Sequence, residues 1–290
     1  MKPPAFDYHR PASLGEALDV LAGLGSDGKV LAGGQSLLPI LSMRLAAPKH
    51  LVDINRIGEL SYIRCDPGGV RVAALARHAE LERHAEAATR QPMLAQALRL
   101  VAHPTIRNRG TTVGSIVHAD PSGEMPAVLC LLGGSITAAS PHSRRTIAAA
   151  DFFLGPLESA LIPGEIAVEA FFPALASQSG TAFVEVSRRL GDYAVCGVGV
   201  VVTLDDDLRI SSARAGYLSV SATPLVLDLT DAVGGRSFDA DLSRAAQLAR
   251  SVTEPEADIH ATAEYRRHLL GVLTTRALGQ AARAAAGVGA

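Results

Sequence analysis

Val30-Leu31-Ala32-Gly33-Gly34-Gln35-Ser36-Leu37 passes from a short apolar run, strand-like from Lys29 to Ala32, through a glycine pair into a second apolar run. That second run is helix-permissive from Leu37 to Leu45 and is stopped by Pro48. Glycines lack Cβ atoms and tolerate positive φ, so successive backbone N–H groups can turn toward an anion such as a pyrophosphate. Thr111-Thr112-Val113-Gly114-Ser115 is a second glycine-bearing stretch beside an apolar segment. The hydroxyls of Ser36, Thr111 and Ser115 add hydrogen-bonding capacity. Taken singly, either loop is in the first place an ordinary tight turn, and the pair needs further support.

Upstream, Ser13 caps a helix whose apolar positions Leu14, Ala17, Leu18, Leu21 and Ala22 recur at helical spacing. The run Gly23-Leu24-Gly25-Ser26-Asp27-Gly28 satisfies GxGxxG, but a helix precedes it and a strand follows. A dinucleotide fingerprint needs the reverse order, so the run reads as a helix cap and turn. Leu51 to Ile54 is a buried strand, completing a first module over residues 1–57. A strand pair follows, Tyr62-Ile63-Arg64 and Val70-Arg71-Val72-Ala73, then two helices over Ala79–Ala88 and Gln91–Ala102. His103-Pro104 breaks the second helix. A helix at Glu124–Leu132 and strands near Ser135–Ala139 and Ile166–Phe172 close a second module. Beyond Gly180, strands at Ala182–Val186, Val198–Leu204 and Arg214–Val220 precede helices at Leu242–Ser251 and Ala261–Ala284, an α+β unit.

The 290 residues carry a formal net charge of −2 and are 48% hydrophobic, which gives no electrostatic bias toward nucleic acid or membrane. No apolar run reaches the ~18 residues of a membrane span, so a cytoplasmic protein is expected. Cys65, Cys130 and Cys196 lie far apart with no ligand spacing; they read as small buried hydrophobes, and no metal or iron–sulfur site is assigned to this chain. His103, His118 and Asp120 invite an acid–base reading. The plainer one is favoured: His103 marks the helix break, while His118 and Asp120 hold the second loop through hydrogen bonds.

Five longer strings support the paired loops: Val30–Pro39, His103–Thr111, His118–Pro126, Phe183–Ala194 and Ala263–Leu270. In order and across almost the whole chain, they resemble the FAD-binding medium subunit of carbon monoxide dehydrogenase and related xanthine-dehydrogenase-type molybdenum hydroxylases. The resemblance implies a two-part FAD-binding domain of the vanillyl-alcohol-oxidase (PCMH) type over residues 1–175, with subdomains 1–57 and 58–175. A C-terminal α+β domain of the CO-dehydrogenase flavoprotein type is implied over 176–290. It also implies that Val30, Leu31, Ala32, Gly33, Gly34, Gln35, Ser36 and Leu37 wrap the FAD pyrophosphate. Val101, Ala102, Thr111, Gly114 and Ser115 would supply the second wall. Glu124 would accept a hydrogen bond from a sugar or ribityl hydroxyl, or serve only as a carboxylate at a helix N-terminus. Tyr193 would stack on or gate the isoalloxazine, or pack a core.

Two positions depart from the family pattern. Val113 stands where many relatives have glycine, and Val184 where xanthine dehydrogenases carry lysine. The implied partners are a large molybdenum-cofactor subunit and a small subunit with [2Fe-2S] clusters, in a dimer of heterotrimers. The competing readings are a self-contained flavin oxidase or dehydrogenase and a flavin-free assembly protein.

Overall fold

The computed structural model describes residues 2–288. The chain opens with β1 (Asp7–His9), α1 (Leu14–Leu24), β2 (Gly28–Leu31), α2 (Leu37–Ser42) and β3 (His50–Asp53). Ser13 Oγ accepts from Glu16 N at 3.2 Å and Glu16 Oε2 accepts from Ala12 N at 2.7 Å, so two otherwise unpaired amides at the start of α1 are satisfied. Gly25, at φ 55°, caps the other end, as the sequence order of helix, glycine and strand requires. β1 and β2 both lie parallel to β3, giving a three-stranded sheet of order β1-β3-β2. The helix α2 stops at Ser42, three residues short of the expected end.

Next come β4 (Ile63–Asp66) and β5 (Gly69–Ala73), a hairpin whose turn is tightened by Asp66 Oδ1 accepting from the amides of Gly68 and Gly69. Six helices follow: α3 (His78–Glu82), α4 (Ala85–Arg90), α5 (Pro92–Leu98), α6 (Pro104–Arg107), α7 (Thr112–His118) and α8 (Glu124–Leu131). The single helix expected over 79–88 is two, because His84 leaves the helical region (φ −77°, ψ 103°) and its ring accepts from Ala87 N. The helix expected to reach Ala102 ends at Leu98, and Ala102 itself is left-handed at φ 44°.

The strands β6 (Ser135–Ala139), β7 (Arg144–Ala148), β8 (Phe153–Gly155), β9 (Glu158–Ser159) and β10 (Ile166–Pro173) complete this region. β4, β5, β10, β6 and β7 form one five-stranded antiparallel sheet in that order. The last unit is a four-stranded antiparallel meander of β11 (Ser179–Ser187), β12 (Ala194–Leu204), β13 (Ile210–Leu218) and β14 (Leu225–Asp228). It is followed by α9 (Thr230–Val233), α10 (Ser243–Ser251) and α11 (Ala263–Ala285). The meander has one strand more than expected: β14 is short and half-buried, without an alternating pattern.

Three apolar cores bind these layers. One joins α1 and β3 to Ala74, Leu75, Ile166 and Val168, so the first sheet packs on the second module and has no separate core. The second is built around α5, α8 and the five-stranded sheet and takes in Phe183, Ala194 and Leu218 from the meander. The third lies under α11. A Cβ at Gly180 would come within 2.2 Å of Ala281 O, so α11 approaches β11 more closely than any side chain there permits.

Candidate functional site

The two glycine-bearing stretches lie against each other. A Cβ at Gly33 would stand 2.5 Å from Arg109 O and 2.8 Å from Gly110 Cα, so the β2–α2 connection touches the backbone just before α7. Gly34 takes φ 73°, which turns the chain back toward α2. Every residue from Val30 to Leu37 is half-buried. The amides of Gly33, Gly34, Gln35 and Ser36 donate to no acceptor among the described residues. Four successive free amides beside a half-buried wall form an anion-accepting cradle.

The second stretch is a helix start rather than a loop. Thr111 N-caps α7, its Oγ1 accepting from Gly114 N at 3.1 Å, and Thr112 through Ser115 are helical. Glycine-rich composition concealed a helix here. The amides of Thr111 and Val113 are also without an acceptor among the described residues and add to the cradle. Val113 is buried in the first turn, where a β-branched residue is accommodated in helical conformation. Gly114 serves the cap, since a Cβ there would lie 2.5 Å from Thr111 Oγ1.

Sequence reading missed the latch that joins the walls. Arg77 Nη1 donates to Arg109 O at 2.7 Å and Nη2 to Asn55 Oδ1 at 2.7 Å, while Asn55 Nδ2 donates to Ala32 O at 2.7 Å. Asp53 Oδ1 orients Asn55 by accepting from its amide N and its side chain, and Tyr8 Oη donates to Asp53 Oδ2. Partial burial holds the Arg77 guanidinium below its ordinary pKa. No motif announces this chain, because its members come from five separate segments.

Beneath the second wall, His78 is 4% exposed and shares a 3.3 Å hydrogen bond with Thr112 Oγ1. Burial, then the charge of Arg107, pushes its pKa from 6.5 down to about 4. The unfolded chain therefore binds the extra proton first, so the contribution is present above pH 6.5 and is lost as pH falls toward 4, about 3 kcal/mol in all. Urea unfolding at pH 7.5 and 5 should show a steeper acid loss for the wild type than for His78→Gln. Equal losses would refute this assignment.

Val101 and Ala102 present carbonyls that both accept from Arg107 Nη1 at 3.0 Å, and Arg107 pairs with Glu82 at 2.8 Å. The expectation that His118 and Asp120 hold the second loop fails: Asp120 Oδ1 accepts from Ser122 N, tightening its own turn, and no hydrogen bond of the His118 ring is found among the described residues. Glu124 opens α8, 8% exposed, with no side-chain partner among the described residues. Burial, then Asp120, raises it to about 7. Glu185, another residue the sequence did not single out, is raised to about 8 by burial and by Glu124, and its Oε2 is buried without a partner. The charge of an ionised Glu124 therefore disfavours ionisation of Glu185. Tyr193 is 67% exposed, and not a core residue; partial desolvation, then the charges of Asp120 and Glu124, raises its phenol above the ordinary value.

A run of free amides and a buried carboxyl without a side-chain partner fit a pyrophosphate-bearing nucleotide cofactor. The chain belongs to the FAD-binding family of molybdopterin dehydrogenases. Residues 4–175 match the family model for the FAD binding domain in molybdopterin dehydrogenase, and residues 181–281 that for the CO dehydrogenase flavoprotein C-terminal domain. The chain is 38% identical to the 6-hydroxypseudooxynicotine dehydrogenase complex subunit alpha of Paenarthrobacter nicotinovorans, over 97% of this chain and 96% of that one. It is 38% identical to the carbon monoxide dehydrogenase medium chain of Hydrogenophaga pseudoflava, over 97% and 98%. Among solved structures, it superposes on quinoline 2-oxidoreductase from Pseudomonas putida 86 with a TM-score of 0.92, 35% identity and 99% of both chains covered.

Proposed function

We propose that this chain is the electron-transfer flavoprotein subunit of a heteromeric molybdenum hydroxylase. It would work beside a large molybdenum-cofactor subunit and a small iron–sulfur subunit, in a cytoplasmic dimer of heterotrimers. The observation that carries the reading is the run of free amides at Gly33–Ser36, latched against the start of α7. No helix among the described residues is long and apolar enough to cross a membrane. The relatives are named for different substrates, caffeine for one and nicotine for another, which fits a shared flavin role with substrate chosen on another subunit.

FAD, when bound, supplies a ring that accepts electrons and passes them on. The chain's own residues bind and orient it between residues 1–57 and 58–175, with 176–290 as a separate α+β domain. The amides of Gly33–Ser36, with those of Thr111 and Val113, hold the pyrophosphate; Ser36 and Ser115 add hydroxyls. Val30, Leu31, Ala32 and Leu37 line one wall and Val101 and Ala102 the other. Glu124 accepts from a sugar or ribityl hydroxyl, which favours its ionised form and leaves Glu185 to hold the proton. Tyr193 covers one face of the ring.

The test is purification and turnover. The chain should be yellow, with one FAD per copy, and should co-purify with two further chains. Freed of them it should oxidise no small organic substrate, while its flavin is reduced by substrate when they are restored. Rapid substrate oxidation by the single chain would favour a self-contained oxidase, and colourless protein an assembly role.

A further inference from the structure

Tyr193 sits at the end of the exposed connection between β11 and β12, where a ring would swing unless the backbone on both sides were held. On one side Gly191, at φ 85°, lies on His103, since a Cβ there would be 2.6 Å from the imidazole. On the other side Ala194 O accepts from Ser219 Oγ at 2.6 Å. Ser219 is buried and left-handed, φ 64°, a conformation that costs a non-glycine residue energy and persists only where its surroundings hold it.

All three polar groups of Ser219 are engaged, each by a different segment. Its N–H donates to Pro121 O at 2.8 Å, in the turn that precedes Glu124. Its hydroxyl serves Ala194, and its carbonyl accepts from Arg266 Nη1 at 2.8 Å. The same Arg266 nitrogen donates to Val195 O at 2.7 Å, and Nη2 donates to Asp258 Oδ2 at 2.5 Å. Arg266 projects from α11 and is only 6% exposed. The guanidinium fork therefore grips the first residues of β12 and the end of β13 together, with its charge met by Asp258.

We propose that Ser219 and Arg266 are positioning residues for Tyr193, fixing the start of β12 to the Pro121 turn so that the phenol is presented to the flavin. This rests on the reading that Tyr193 covers the ring. It gives α11, through Arg266, a role at the cofactor that is exerted through Tyr193 and not by contact of its own.

The experiment uses the assembled, flavin-loaded complex. Ser219→Gly keeps the left-handed backbone, the N–H and the carbonyl, and removes only the hydroxyl bond to Ala194. FAD content should stay at one per chain, while flavin fluorescence and the rate of reoxidation by a soluble dye shift about twofold or more, in the direction that Tyr193→Ala shifts them. Adding Ser219→Gly to Tyr193→Ala should change nothing further. Arg266→Lys, which keeps a cation beside Asp258 but loses the fork, should behave like Ser219→Gly and serves if that variant folds poorly. A wild-type signature in both variants, with Tyr193→Ala altered, overturns the positioning role and leaves the flavin reading intact. Additive effects in the double variant overturn it as well, as general loosening. A silent Tyr193→Ala overturns both readings.

Discussion

Gly33→Val should give folded protein that has lost nearly all its flavin. The added Cβ would meet Arg109 O at 2.5 Å and Thr111 N at 3.0 Å, and both are backbone atoms that cannot rotate away. Relief requires the two walls to part. Overpacking of this kind costs about 3 kcal/mol, and if that falls on the bound geometry the affinity drops on the order of a hundredfold. The measurement is the flavin-to-protein absorbance ratio after gel filtration, with far-ultraviolet circular dichroism as the check on folding. Gly23→Ala is the control, because its Cβ meets nothing within 4 Å. Full flavin in Gly33→Val would remove the cradle from this part of the chain.

Arg77→Met should release FAD about thirtyfold faster. It deletes two hydrogen bonds of 2.7 Å from a charged donor, one to each side of the groove. Such bonds are worth about 1.5 to 3 kcal/mol each when buried, and partial solvent screening brings the pair to about 2 kcal/mol. Asn55→Ala breaks the same bridge at its other joint, so the double variant should be little worse than Arg77→Met alone. Stopped-flow dilution into an apoflavoprotein trap measures the rates. A release rate within twofold of wild type would show that the walls stay together without the latch.

The parts of the fold with period and punctuation were legible in the sequence. The helix α1 announced itself by Ser13 and its spaced leucines, and the hairpin at Asp66–Gly69 by its turn residues. What failed did so for local reasons. The helix α7 lies in a stretch whose composition suggests a loop, because Thr111 and Gly114 serve a cap and not a turn. The break at His84 depends on a ring accepting from a backbone amide, for which histidine at that position gives no warning. In the site, the strings carrying Gly33, Thr111 and Glu124 were found because they are contiguous. Arg77, Asn55, Glu185, Ser219 and Arg266 were not, since each acts through a partner between eight and seventy-one positions away.

The first parallel sheet leans on Ala74, Leu75, Ile166 and Val168 for its hydrophobic support. That has a consequence for recombination between relatives. A crossover at the junction near residue 57 separates Ile54 and Ile57 from the side chains they press against, so a chimera inherits half of one contact surface from each parent. Such hybrids should need Ala74, Leu75, Ile166 and Val168 transplanted together with the donor's N-terminal segment. In this chain, the unit of inheritance for the cofactor groove is a packing surface, and it does not coincide with any continuous length of gene.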